Sequence, residues 1–477
     1  MSEARKIILP RFTLTETCKP GDKDAIPWQG NKELPSGEQY FYRPVVRKLK
    51  FGKRTGTYSW NLFPVVVDGH GAVFAEASLY ILDRLMSANG PNMATFSGIA
   101  DDLAIFKRWL EDEDIDFTKF PANKLERPTY QYRGHLHTLI RAGKVAPSSA
   151  RRQMGAVIAF YRWLTDEKKL VLAHKPWIET DVLIDIKDAK GFRVRKKVKS
   201  TDLSVKVPKQ NDPYAGTIDD GGKLRPLTDT EQFWLLDALN VLDNTEMTLI
   251  HLLALFTGAR IQTVLTFRVR HVRLELPDDL TEIRLPIGHG TGIDSKFGKQ
   301  MTLFIPRWLY ERLRIYSHSE RARARRVKAG RDDEEQYLFL SNRGTPFYRS
   351  KMERDEFDES FELKHEKYGQ TVRQFIADYV LPKIKENAGK PFLYRFHDLQ
   401  ASFGMNLTDT LLDRVQAGEM TLHEMREFVK VRMGHNSADT TDLYLQYRGN
   451  LETVKKVQLQ YEGHLKAITN KAKRIMS

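Results

Sequence analysis

Leu253-Ala254-Leu255-Phe256-Thr257-Gly258-Ala259-Arg260-Ile261-Gln262-Thr263-Val264-Leu265 is an apolar run, broken once and then resumed. The spacing predicts a helix up to Thr257, a break at Gly258, and helical spacing again from Ile261. The break lifts Arg260 out of a buried run and fixes its direction. A guanidinium held this way suits an oxyanion such as a phosphate. Taken alone, an Arg beside a Gly also reads as a helix C-cap carrying a surface cation. The residues around the stretch decide between the two.

Just upstream, Thr228 and Glu231 have capping-box spacing ahead of Phe233-Trp234-Leu235-Leu236, which predicts a helix start. Downstream, Ile283–Pro286 and Met301–Pro306 read as two strands of a hairpin. Their connection, Gly288-His289-Gly290-Thr291-Gly292-Ile293-Asp294-Ser295-Lys296-Phe297-Gly298-Lys299-Gln300, is Gly-rich with a basic tip. Trp308–Tyr316 resumes a helix, and Arg321–Lys328 reads as an exposed helix face or loop. Tyr337–Pro346 reads as a short strand and turn. Beyond it the spacing is helical, and 451–477 forms one basic amphipathic segment.

Towards the N-terminus the pattern changes. Residues 1–74 form a β-rich arm, with strand, turn, strand across Tyr40–Val67; it reads equally as a DNA-touching arm or as a hairpin packed on the next domain. From 75 to 175 four amphipathic helical segments follow. The last has Met154, Val157, Ile158, Tyr161 and Leu164 on one face and a cap expected at Ser148 or Ser149. Arg151 and Arg152 fall outside that face, as solvated charges or as phosphate contacts. Residues 176–225 read as a basic linker. Asp185–Ser200 carries seven cations, among them Arg193, Arg195, Lys196 and Lys197, and a Pro-, Asp- and Gly-rich stretch ends in Asp219-Asp220-Gly221-Gly222.

Composition bounds the function. A chain of 477 residues exceeds one core. A formal net charge of +14 makes a polyanion the leading partner, although basic chains without nucleic-acid ligands exist. Cys18 is the sole cysteine, which excludes an intrachain disulfide and a Cys-based zinc site and fits a reducing cytoplasm. The N-terminal residues lack the apolar core of a signal peptide. The run Met247–Phe256 is too short to span a bilayer, so no membrane association is expected.

Four features join Arg260: Lys296 or Lys299 on the hairpin; Phe396-His397-Asp398-Leu399-Gln400; Met433-Gly434-His435; and Tyr444, nine residues after His435 with Ser437 as a helix N-cap between them. In this order and spacing the chain resembles the tyrosine recombinases, or phage-type integrases, over about residues 75–450. Thr257-Gly258-Ala259-Arg260 matches their Thr-Gly-x-Arg box, and Lys296 their hairpin lysine. Phe396-His397-Asp398-Leu399 matches the third box. Met433-Gly434-His435 with Tyr444 matches the last.

The resemblance implies a mainly α fold with a small β-sheet. A helical core-binding domain (75–175) and a mixed α/β catalytic domain (226–450) would clamp double-stranded DNA as a C shape, with the linker crossing the duplex. The 451–477 tail would dock on a neighbouring protomer. It implies a tetramer on two duplexes in the cytoplasm, at the nucleoid. Tyr444 would attack a phosphodiester to give a 3′-phosphotyrosine. Arg260 and His435 would stabilise the phosphate, Lys296 would protonate the leaving 5′-oxygen, and His397 would assist proton transfer. Arg151, Arg152, Arg193, Arg195, Lys196, Lys197 and Lys299 would hold DNA. No metal or other cofactor is required.

Three positions depart from the family pattern. Gln400 replaces its second arginine, Thr263 its Glu, and His271 its Asp. A neutral amide replaces a bidentate cation at Gln400, and Arg395 is a candidate substitute. A recombinase-fold DNA-binding protein with weak or no cleavage, or a type IB topoisomerase, are the alternatives.

Overall fold

The computed structural model describes residues 3–28, 40–48, 55–88, 92–168, 170–187, 193–207, 216–274, 279–350, 368–389 and 392–476. These fall into two compact units, 3–207 and 216–476. The chain is mainly helical with small sheets of two or three strands, the fold class that the resemblance implies.

The first unit runs β1 (Arg5–Thr13), β2 (Thr15–Cys18), β3 (Ile26–Pro27), β4 (Phe41–Pro44), β5 (Val46–Lys48), β6 (Thr55–Thr57), β7 (Ser59–Val67), α1 (Ala75–Met86), α2 (Met93–Asp112), α3 (Pro128–Arg141), α4 (Pro147–Arg162), β8 (Glu179–Lys187) and β9 (Arg193–Thr201). Strand β7 pairs antiparallel with β1, from Arg5↔Val67 to Thr13↔Ser59. Its Trp60, Phe63 and Val66 join one apolar core with Tyr80 and Ile81 of α1, Phe106 of α2, Tyr132 of α3 and Phe160 of α4. The N-terminal strands therefore share the core of the helices, and 3–175 is not divided at residue 74. The predicted α4 face is buried at Met154, Val157, Tyr161 and Leu164. The helix starts earlier than Ser148, because Pro147 occupies the first turn with its φ already set and Ala146 is the cap.

The stretch expected to be a linker carries regular structure. Strands β8 and β9 pair over Glu179↔Thr201 to Lys187↔Arg193, so the seven-cation run lies largely on a hairpin. Val182 pairs with Val198 and Ile186 with Val194, and these β-branched pairs fit the strand pattern that the charge count hid.

The second unit runs β10 (Ile218–Asp219), β11 (Lys223–Leu224), α5 (Asp229–Val241), α6 (Thr245–Thr257), α7 (Ile261–Leu265), β12 (Glu282–Ile287), β13 (Met301–Pro306), α8 (Arg307–His318), α9 (Glu320–Lys328), α10 (Gln370–Phe375), α11 (Leu381–Ala388), α12 (Asp398–Gln416), α13 (Leu422–Met433) and α14 (Ala438–Met476). Ile218 and Leu224 are buried, so residues from 216 on belong to this unit and not to a tether. The Thr228–Glu231 capping box is formed in both directions. The predicted hairpin is β12–β13, in register from Glu282↔Pro306 to Ile287↔Met301. The Arg321–Lys328 run is helix α9, and it is not merely solvated. Arg321 and Arg325 both hold the buried Glu246 carboxylate, while Arg326 is itself buried on Asp332.

Helix α6 is apolar all round because it is the centre of this core; Leu253 and Ala254 are fully buried. His251, on the same helix, donates from Nδ1 to Met247 O at 2.7 Å and meets the Tyr394 hydroxyl at Nε2 at 3.0 Å. Burial lowers its pKa to about 4, partly offset by the Met247 bond. Between pH 6.5 and 4 the unfolded chain binds the extra proton, so stability is present above 6.5 and is lost as pH falls towards 4. We expect this group to remove on the order of 3 kcal/mol across that window. His251→Gln should flatten the melting-temperature profile there; an unchanged profile would refute the assignment.

Candidate active site

The site is built wholly within the second unit. Helix α6 ends at Gly258 in the left-handed conformation, φ 68°. Arg260 then caps α7 with extended backbone, φ −72° and ψ 157°. This is the break read from the sequence, and it turns Arg260 away from the apolar run. Its Nε is buried and has no hydrogen-bond partner among the described residues. The side chain lines two cavities, of about 210 and 520 Å³, and Lys296 lines both of them too.

Lys296 stands on the connection between β12 and β13, in a single 3-10 turn. Two departures from the family pattern lie behind it. Thr263 Oγ1 donates to Asp294 O at 2.8 Å. His271 takes the Arg268 N–H on Nδ1 at 2.9 Å and donates from Nε2 to Thr291 O at 3.1 Å. Both therefore brace the segment just before Lys296. Burial holds the His271 pKa down to about 4, so a neutral ring makes these bonds. Lys299, expected on DNA, donates here to Gly434 O at 2.7 Å and Asn436 Oδ1 at 2.5 Å. It ties the hairpin to the loop that carries His435.

That loop begins where α13 ends at Gly434, and α14 follows from Ala438. Tyr444 is fully buried in α14. Its ring lies against α12 at Gly404, where an added Cβ would fall 2.5 Å from Tyr444 Cε1; only glycine permits this approach. The helix expected after Ser437 and the 451–477 segment are one 39-residue helix.

The Tyr444 hydroxyl donates to Asp220 Oδ2 at 3.1 Å, and His435 Nε2 meets the same oxygen at 3.2 Å. Thr441 Oγ1 lies 3.1 Å from His435 Nδ1 and sets the ring orientation. Burial and then the Asp220 charge raise the Tyr444 pKa well above the usual phenol. Burial pushes Asp220 upward, but bonds from His435 and Tyr444 and the Arg260 charge outweigh it, leaving its pKa below the usual carboxylate. Asp220 is a site residue that sequence reading missed. Its turn was assigned to a linker, and its partners lie more than 200 positions away.

The larger cavity is lined by His397, Arg395 and Arg373 as well as Arg260 and Lys296. His397 Nε2 donates to Gln400 Oε1 at 3.0 Å. Burial first, then Arg260, lowers the His397 pKa, so the ring is neutral near pH 7. Gln400, at 1% exposure, thus fixes the tautomer of His397. Arg395 is exposed and lines the same cavity, as does Arg373, which was not anticipated.

The residues expected to grip DNA in the first unit are mixed. Arg151 is exposed. Arg152 is committed to the buried Asp102, at 2.6 Å; burial raises that carboxyl to about 6 despite the pairing. Arg193 opens β9, and its side chain lies outside the described residues. Arg195, Lys196 and Lys197 are exposed on β9, with Lys197 paired to Asp181 at 2.7 Å. Among the described residues no group of three or more His, Cys, Asp or Glu could hold a metal, and no helix is long and apolar enough to cross a membrane.

An imidazole and a phenol on one oxygen, beside an arginine and a lysine sharing a cavity, make a pocket suited to an oxyanion and a nucleophile. Solved structures similar to this chain are tyrosine recombinases and integrases. They include the XerH site-specific recombinase bound to palindromic difH substrate, at 13% identity over 77% of this chain and 84% of that one, TM-score 0.42. A lambda integrase (75–356) dimer bound to a COC′ core site matches at 14% over 76% and 93%, TM-score 0.42. The Tn1549 transposon integrase in complex with a circular intermediate DNA matches at 12% over 79% and 98%, TM-score 0.44. No protein-family model and no curated protein matches the chain.

Proposed function

We propose that this chain is a tyrosine recombinase or integrase that cuts and rejoins double-stranded DNA through a 3′-phosphotyrosine. The observation that carries the reading is the convergence of Tyr444 and His435 on one acceptor oxygen, with Arg260 and Lys296 lining the adjoining cavity. Tyr444 attacks phosphorus. Arg260 and His435 Nε2 donate to the non-bridging oxygens, Lys296 protonates the departing 5′-oxygen, and neutral His397 accepts and returns protons. The phosphotyrosyl ester keeps the energy of the broken diester, so the cycle closes without an external energy source. Recombination in this scheme joins two duplexes in a tetramer. The test is an element-end duplex nicked near the target phosphate. A denaturant-stable protein–DNA adduct supports the reading; its absence on all candidate ends rejects it.

A chain that binds DNA but cuts poorly is the second reading, favoured by Gln400 alone. The His397–Gln400 bond speaks for a site rebuilt around the amide. We expect Gln400→Ala to slow adduct formation about tenfold through a loosened His397. Gln400→Arg should slow it further, because a donor would face the His397 N–H. A gain with Gln400→Arg would instead show a site weakened by the amide.

A further inference from the structure

The Tyr444 hydroxyl and His435 Nε2 are the two groups that, on the reading above, meet the scissile phosphate from its attacking and its equatorial sides. In the structure they meet on a single oxygen, Asp220 Oδ2, at 3.1 and 3.2 Å. Asp220 is 6% exposed, it lines the same cavity as Arg260 and Lys296, and the Arg260 charge acts on it. A carboxylate with an imidazole, a phenol and a guanidinium around it has the neighbours of a bound phosphate.

We propose that Asp220 is a stand-in for the substrate phosphate: it holds Tyr444 and His435 in place and leaves the pocket when a phosphate enters. This rests on the recombinase reading and adds a positioning residue to it. Two anions cannot share those donors, because each would lose its own hydrogen bonds and face a like charge in a partly desolvated site. Entry of DNA therefore requires Asp220 to withdraw. The turn that carries it is built to do so. Strands β10 and β11 have two residues each, and the turn continues through Gly221 and Gly222 at φ 69° and 155°. Gly221 packs directly on Lys296, since an added Cβ would lie 2.5 Å from Nζ. Withdrawal of the turn uncovers the lysine as well as the tyrosine. The buried Ile218 and Leu224 hold the base of the hairpin while its tip moves.

While Asp220 is in place, Tyr444 is a protonated phenol beside a fixed negative charge, and it is a poor nucleophile. The displaced carboxylate is replaced by a phosphate whose phosphorus the phenol can attack. Attack by Tyr444 is thereby tied to occupancy of the pocket by a properly seated diester.

The test uses the full chain and inorganic phosphate as probe. Asp220→Asn keeps the shape and removes the charge. Its affinity for inorganic phosphate, measured calorimetrically, should rise at least tenfold over wild type, and Arg260→Ala in the same background should abolish the gain. Asp220→Ala is the second variant and should behave alike. On the nicked duplex, Asp220→Asn should lower the DNA concentration for half-maximal adduct formation. In wild type, where no substitution can disturb folding, saturating phosphate should perturb the ultraviolet difference signal of Tyr444, identified by its loss in Tyr444→Phe. Unchanged phosphate affinity in both variants overturns the proposal. So does a collapse of the maximal adduct rate in Asp220→Asn, which would make the carboxylate the proton acceptor for Tyr444. If phosphate affinity rises but no variant, nor wild type, forms an adduct, the stand-in role survives and the transesterification reading falls. If wild type forms the adduct and phosphate affinity is indifferent to Asp220, the reverse holds.

Discussion

Tyr444→Phe protein, mixed with a nicked element-end duplex, is expected to leave no covalent adduct: the yield should fall by more than roughly 1,000-fold while DNA affinity stays within a few-fold. The change removes one oxygen, the one that bonds Asp220. The ring itself keeps its place, because its packing against Gly404 and the His435 ring, 5.8 Å away between centroids, does not use the hydroxyl. The lost hydrogen bond is expected to lower stability by about 1 kcal/mol. Activity and stability therefore separate cleanly in this variant. Tyr447 is the rival nucleophile on the same helix. An adduct that persists in Tyr444→Phe and vanishes in Tyr447→Phe would transfer the role to it.

Arg260→Ala carries the second largest effect. Losing a preorganised donor to a transition-state oxyanion typically costs about 3–4 kcal/mol, so the adduct rate should fall by roughly 100- to 1,000-fold. Arg260→Lys should recover little, since a point charge cannot reproduce a two-pronged guanidinium contact. The melting temperature should move by only a few degrees. Arg260 Nε is buried with no hydrogen-bond partner among the described residues, so that nitrogen adds little stability to the resting protein. A rate loss under tenfold, or a large drop in melting temperature, would show a structural arginine instead.

Much of this pocket was legible because local rules carry it. The Gly258 break, the Thr228–Glu231 box and the β12–β13 strands each depend on neighbours within a few residues, and each is found where the pattern put it. The spacing from His435 to Tyr444 needs only one turn of backbone between two helices. What was hidden depends on distant chain. Asp220 sits in a stretch of Asp and Gly with linker composition, and its meaning comes from Tyr444 and His435. Lys299 and Lys296 stand three residues apart on one loop; contacts with Gly434 O and Asn436 Oδ1, distant in sequence, make Lys299 a brace. The β8–β9 hairpin was masked by its cations. Arg152 could not be separated from a solvated arginine without knowing that Asp102 was buried across from it.

The length of α14 has a mechanical consequence. Tyr444 rides on its second turn, and the rod continues about 48 Å past the phenol at a helical rise per residue. Tilting so long a lever at its free end scarcely shifts an atom close to the fulcrum. Twisting it about its own axis, by contrast, swings the ring sideways by the same angle at both ends. The phenol's aim is thus nearly deaf to bending of the distal half and sensitive to torque applied anywhere along it.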